Sequence, residues 1–269
     1  MHKVIITVAP TGNVPTKALN PATPVTNDEI VQDLLLCQAA GASIAHLHVR
    51  DVNENPTSER TLFKDLCSKI DSQNINMIKQ LSTGARGGQN TIDYRGQMLD
   101  LNIEMASLAT GSSNFPTSVN GNSPELIEAL ATKMYHNNIK PEIEVFDSAM
   151  IANVNWLIKK GIIKSNLHFN LVMNVPGSLK GTPRNLMFLK ESLPQGSTFS
   201  VSGIGKSQTD MLAMAIILGG HVRTGLEDLV EYRGSLMTNE GLVQNAANLI
   251  RSLGREVATT QEAKSILGL

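Results

Sequence analysis

The chain's pattern of elements predicts an α/β fold, a (β/α)8 barrel of the TIM type, and three observations carry that reading. Short apolar runs with buried-strand composition alternate with amphipathic stretches about eight times along the chain. The length, 269 residues, suits one large domain over residues 1–269 better than two small ones. The runs also end repeatedly on polar residues, as barrel strands do where they reach the mouth. A doubly wound open sheet is the alternative, but it normally has fewer units or a second domain.

Taken in order, residues 4–8 are a compact, largely β-branched first strand that stops at Ala9-Pro10-Thr11-Gly12. A loop rich in Pro, Thr and Asn follows. Thr26-x-x-Glu29 is a capping box, and it opens a helix with Ile30, Leu34 and Cys37 on one face and Gly41 at its close. Residues 44–48 form the second strand, leading into His46-Leu47-His48-Val49-Arg50-Asp51. A helix near 57–72 precedes a strand at 76–81, which ends at Ser82-Thr83-Gly84-Ala85-Arg86-Gly87-Gly88. Another helix leads to a strand at 104–108, ending at Ala109-Thr110-Gly111-Ser112.

The second half repeats the alternation. Ser123-Pro124 caps a helix in which Leu126, Leu130 and Met134 align. Residues 141–146 make the fifth strand, with a helix near 147–160. The sixth strand, 167–173, ends at Asn174-Val175-Pro176-Gly177. The seventh, 198–201, runs into Ser202-Gly203-Ile204-Gly205-Lys206. A helix with Met211, Leu212, Ala215 and Leu218 on one face closes at Gly219-Gly220. His221-Val222-Arg223 is a very short eighth strand. A last long helix carries Leu242, Ala246, Leu249, Ile250 and Leu253.

A formal net charge of -1 without a basic stripe argues against a nucleic-acid partner. The apolar runs are far shorter than a membrane span. The N-terminus enters a strand with no signal-cleavage pattern, and Cys37 and Cys67 sit among apolar neighbours as reduced core thiols. The expectation is a soluble cytoplasmic protein.

The barrel rule turns strand ends into candidate site residues: Thr11, His46, His48, Ser82, Thr110, Glu144, Asn174, Ser202, Arg223, Glu227 and Asp228. His46 and His48, two apart on a strand, point to one face and can share a metal ion. Their bland reading is a pair of satisfied core histidines. A catalytic zinc needs a third protein ligand, and Glu227 or Asp228 supplies it if the chain folds back at Gly225. For that acidic cluster the bland reading is a solvated loop.

These residues resemble a known family. Ala9-Pro10-Thr11-Gly12, Gly41-Ala42-Ser43-Ile44-Ala45-His46-Leu47-His48-Val49-Arg50-Asp51, Ser82-Thr83-Gly84, Met105-Ala106-Ser107-Leu108, Pro141-Glu142-Ile143-Glu144-Val145-Phe146-Asp147, Val201-Ser202-Gly203-Ile204-Gly205 and Val222-Arg223-Thr224-Gly225-Leu226-Glu227-Asp228 are similar to motifs of the β-keto acid cleavage enzymes, in the same order. The resemblance implies a transferase on a metal-dependent barrel, with zinc (Zn2+) on His46, His48 and Glu227. The implied reaction takes a β-keto acid and acetyl-CoA and returns acetoacetate and a new acyl-CoA. By the same carry-over Asp228 is the general base, Arg223 its charged neighbour, and Ser82 and Thr110 substrate-orienting hydroxyls. Glu144, or in second place Glu142, faces the site. The resemblance also implies a homotetramer, and the apolar stretch 263–269 offers an interface.

Acetyl-CoA brings phosphates that need a dock. Gly203, Gly205 and Lys206 open a helix after strand seven, where barrels often bind phosphate. Ser200 replaces the earlier glycine of a Walker A loop, which excludes nucleotide hydrolysis. Arg86 is a weaker candidate for the same task. The chain departs from the family's aminohexanoate-cleaving member at Val14, where a glutamate would grip an ammonium; an apolar residue predicts a substrate without a cation there. A class II aldolase or a metal hydrolase is the rival enzyme reading, separated by needing no acetyl-CoA. A barrel that only binds a metal or a small acid is the non-enzyme alternative.

Overall fold

In a computed structural model, which describes residues 3–84, 88–115, 118–164 and 166–269, eight parallel strands close into a barrel. They are β1 (Ile6–Val8), β2 (Ile44–Leu47), β3 (Ile78–Leu81), β4 (Met105–Ala109), β5 (Lys140–Val145), β6 (His168–Met173), β7 (Thr198–Gly203) and β8 (His221–Thr224). Each strand pairs with the next, and Val222 opposite Ile6 joins β8 to β1. Around them run α1 (Asn27–Ala40), α2 (Arg60–Ser72), α3 (Ile92–Arg95), α4 (Pro124–His136), α5 (Ser148–Lys159), α6 (Pro183–Glu191), α7 (Gln208–Ile217), α8 (Asn239–Ser252) and α9 (Thr260–Leu267). No helix among the described residues is long and apolar enough to cross a membrane.

The main apolar core lies between the strands and this helical jacket, where Leu34, Phe63, Leu130 and Ile250 meet the outward faces of the strands. Cys37 and Cys67 are buried there as free thiols, and burial pushes Cys67 up to about 11. A second cluster floors the barrel. Ile5, Ile44, Ile78 and Met105 pack against Ala258, Ala263 and Leu267 of the C-terminal segment. Above that floor the interior is polar: Gln80, Glu142, His168, Asn170, Ser200 and Ser202 are all buried. Ser202 Oγ donates to Asn170 Oδ1 at 2.9 Å, and His168 Nδ1 lies 2.9 Å from Thr198 Oγ1. These bonds satisfy part of the layer; Gln80 Nε2, Asn170 Nδ2 and both Glu142 carboxylate oxygens have no hydrogen-bond partner among the described residues.

Several elements differ from the sequence expectation. The run 4–8 is split: Lys3–Val4 pairs with Glu256–Val257 outside the barrel, and only Ile6–Val8 enters it. Pro56–Thr57 forms a hairpin with Val49–Arg50, so α2 starts only at Arg60. The helix before β4 is a single turn. α6 was not anticipated, although Thr182-Pro183 repeats the cap-and-proline pattern of Ser123-Pro124. The stretch 263–269, expected to offer an interface, lies mostly in α9. That helix is opened by the capping box Thr259…Glu262, and its Ala263 and Leu267 are spent on the barrel floor.

Candidate active site

His46 closes the inward-facing register of β2, and His48 follows one residue beyond the strand. Their Nε2 atoms stand 3.2 Å apart, and Glu227 Oε2 lies 3.8 Å from the first and 3.5 Å from the second. Donors that share a tetrahedral cation at roughly 2.0–2.1 Å are about 3.3 Å from one another, so this spacing is the edge length such an ion requires. The protonation states agree. His46 Nδ1 is 2.6 Å from Gln80 Oε1, which can only accept, so the proton sits on Nδ1 and the Nε2 lone pair faces the site. Burial, with Arg223 nearby, pulls His46 down to about 4 and keeps it neutral. Burial alone would raise Glu227, but Arg223 and the imidazoles override it and hold the carboxyl well below its usual range. Glu227 Oε2 is buried and, among the described residues, accepts no hydrogen bond, an orphaned anionic oxygen facing the Nε2 atoms of both imidazoles. The residues fit a divalent cation.

The carboxylate reaches the rim through a glycine-dependent turn. Gly225 has φ +143°, and a Cβ there would lie 2.2 Å from the Ala9 carbonyl oxygen. The chain then turns back, with Asp228 N and Leu229 N donating to Gly225 O and Glu227 N to Ala9 O. Across from it, Gly12 at φ +62° leaves the space that a Cβ would take from Glu227 Cγ, 2.4 Å away. Only glycine suits either position.

Beside the triad, Arg223 gathers three carboxylates. Its Nε and Nη2 donate to Asp228 Oδ2 and Oδ1 at 3.0 and 2.9 Å. Nη2 also lies 2.7 Å from Glu227 Oε1, and Nη1 is 3.4 Å from Glu144 Oε1. Burial pushes Asp228 up to about 6, with Glu227 adding repulsion, against the pull of Arg223. Burial likewise takes Glu144 up to about 8. Asp228 is thus mostly ionised at neutral pH, while Glu144 is mostly protonated. All of these groups open on one cavity of about 380 Å³. Its walls include Val14, Ser82, Phe115, Asn120, Phe146 and Val175.

Residues 3–269 match the model of the beta-keto acid cleavage enzymes. The chain belongs to the β-keto acid cleavage enzyme family. It is 43% identical over its whole length to a 3-keto-5-aminohexanoate cleavage enzyme of Acetoanaerobium sticklandii, of which 99% is covered. It is 41% identical, over 98% of its length and 94% of the relative, to a 3-oxoadipate:acetyl-CoA acetyltransferase of Cupriavidus necator. Among solved structures, ObcA with oxaloacetate shares the fold at a TM-score of 0.81 and 19% identity, covering 93% of this chain and 68% of the other.

The remaining expectations fall unevenly around the site of this β-keto acid cleavage enzyme. Ser82 lines the cavity, and its Oγ accepts the Gly84 N–H at 3.2 Å. Glu144 faces the cavity; Glu142 lies deeper, wholly buried, with His168 Nε2 at 3.5 Å. His46, Glu142 and Glu144 form a second group whose ligand atoms converge, sharing one imidazole with the triad. Thr110 is turned away: its hydroxyl donates to the backbone oxygens of Glu144 and Met150 at 3.4 and 3.3 Å, and it does not line the cavity. Gly203 ends β7, Gly205 N donates to Asp228 O at 2.8 Å, and Lys206 is exposed. None of the three lines the cavity, whereas Ile204 does. Arg86 lies outside the described residues. The apolar wall formed by Phe115, Phe146, Val172 and Val175 was not anticipated, because these residues read as ordinary strand and loop apolars until the barrel gathers them.

Proposed function

We propose that this enzyme uses zinc on His46, His48 and Glu227 to cleave a β-keto acid with acetyl-CoA, giving acetoacetate and a new acyl-CoA. One observation carries the reading: the ligand atoms of two imidazoles and one carboxylate converge on one point beside a buried arginine–aspartate pair, inside one cavity. Bound zinc supplies Lewis-acid polarisation of the keto acid's oxygens. Asp228 removes the proton from the carbon between the two carbonyls, and its affinity for that proton, near 6, suits a base at neutral pH. The resulting enolate attacks the acetyl thioester, the CoA thiolate leaves and then attacks the distal ketone, and a reverse Claisen step expels the acetoacetate carbanion, which takes its proton back from Asp228. Arg223 orients the base through two parallel hydrogen bonds and retains Glu227 and Glu144 when Asp228 is neutralised. Glu144, protonated, serves as a donor rather than a second base. Ser82 presents its hydroxyl to the substrate.

Val14 in the cavity wall supports a β-keto acid without a cation at that end. Relatives of nearly equal identity carry different substrates in their names, so overall similarity does not choose among them. The turn Gly203, Gly205 and Lys206, with Arg86 second, is our assignment for the phosphates of acetyl-CoA. A cytoplasmic homotetramer, by analogy with the family, completes the reading.

The test is a coupled assay of CoA-thioester formation over a panel of β-keto acids, with metal content measured on the same sample. Stoichiometric zinc and acetyl-CoA-dependent turnover are expected. Asp228→Asn should lower kcat by about 100- to 10,000-fold with the metal retained. Undiminished turnover in that variant overturns the assignment of the base, and efficient cleavage of 3-keto-5-aminohexanoate overturns the reading of Val14.

A further inference from the structure

Arg95, on the single turn α3, is 1% exposed and forms no ion pair among the described residues. A guanidinium is costly to bury without a carboxylate, and burial draws this one down to about 10, still charged at neutral pH. Its donors go to backbone oxygens instead. Nε reaches Thr83 O at 2.5 Å, and Nη1 reaches Gly121 O at 2.8 Å, with Asn90 Oδ1 at 3.4 Å. A neutral side chain could tie two loops together; a guanidinium adds a charge-assisted bond that polarises the peptide it grips.

The peptide in question is the one joining Thr83 to Gly84. Its carbonyl accepts from Arg95, and its N–H donates to Ser82 Oγ. Ser82 therefore has an oxygen lone pair engaged by Gly84, and among the described residues its own proton is donated to none. Thr83 is fixed from the other side by Ser107, whose Oγ accepts its N–H and whose carbonyl accepts its hydroxyl. We propose that Arg95 is a positioning residue for the cleavage reaction: acting through the Thr83–Gly84 peptide, it holds the Ser82 hydroxyl as a donor aimed at the bound β-keto acid. By the bond to Gly121 the same guanidinium also ties in the cavity wall at Asn120, on the loop after the neighbouring strand. The inference rests on the reading of Ser82 as the substrate-orienting hydroxyl.

A double-mutant cycle on the full-length, metal-loaded enzyme tests it, using Ser82→Ala, Arg95→Gln, Arg95→Lys and the combined variants, with metal content and thermal unfolding recorded for each. Ser82→Ala and Arg95→Gln should each lower kcat/KM by about 10- to 100-fold at unchanged metal content. In the Ser82→Ala background, Arg95→Gln should cost less than about threefold, since the group it orients is already gone. Arg95→Lys, which keeps the charge, should retain part of the activity, and it carries the cycle if the glutamine variant fails to fold. An equal loss from the Arg95 change in both backgrounds overturns the inference and leaves a structural tie. Full activity in Ser82→Ala alone overturns the reading of Ser82, and with it the inference.

Discussion

Under the zinc reading proposed above, His46 shows how much of a ligand's behaviour is set by the atom behind it. An imidazole gives its Nε2 lone pair to a cation only while its proton sits on Nδ1, and Gln80 Oε1 enforces that tautomer. Gln80 is fully buried and stands directly opposite His46 in the β2–β3 register, so the pairing is a consequence of strand alignment. Gln80→Leu keeps the volume and removes the acceptor. Zinc affinity, measured by competition with a chromogenic chelator, should fall about 10- to 100-fold while the fold is retained. Unchanged affinity would show that the tautomer is held by something else. That the two histidines share one face was legible from their spacing, two apart on a run of strand composition, although spacing alone left a pair of satisfied core histidines equally open. Gln80 was not, because Ile78-Lys79-Gln80-Leu81 reads as strand interior until the neighbouring strand gives it a partner.

At the scale of elements, the site depends on how α1 and α8 hold the turn that carries Glu227. Asn239, at the start of α8, accepts the Leu226 N–H at 2.7 Å and donates to Pro10 O and to Asp33 Oδ2 on α1. Asp33 is mostly buried, and desolvation outweighs the Asn239 bond to take it up to about 6, with Glu240 adding repulsion. Since the folded chain holds this proton more tightly than the unfolded chain, the associated stability is full below about pH 4. It is lost as pH rises through 6. Asp33→Asn keeps an acceptor for Asn239 and removes the buried charge. Its Tm should exceed that of the parent by several degrees at pH 8, with the difference vanishing near pH 4. A constant difference across that range would mean that Asp33 does not titrate in the fold. Helices with strong local signals, such as α1 behind its capping box, were readable in advance. The hairpin at Val49–Thr57 and the split of the first apolar run were not, because only pairing with distant segments, Glu256–Val257 in the second case, decides them.

Considered whole, the barrel carries its chemistry at one end and its closure at the other, with a polar interior between. The alternation of strands and helices was enough to infer the eight-stranded closure; what blocks the bottom was not legible, since a short amphipathic tail reads equally well as an interface. The structure spends that tail on the floor, where Leu267 meets the cluster of Ile5, Ile44, Ile78 and Met105. Leu267→Ala leaves a cavity that the four strand residues cannot fill, each being fixed by its place in a closed sheet. The cost should be about 2–4 kcal/mol, or a fall in Tm of about 5–10 °C. Because the floor is separated from the rim by the buried layer of Gln80, Glu142 and Asn170, kcat and metal content well below Tm should stay at parental values. A parallel loss of zinc would mean that floor and rim are mechanically coupled through the strands. A change in sedimentation without a fall in Tm would return the tail to an interface.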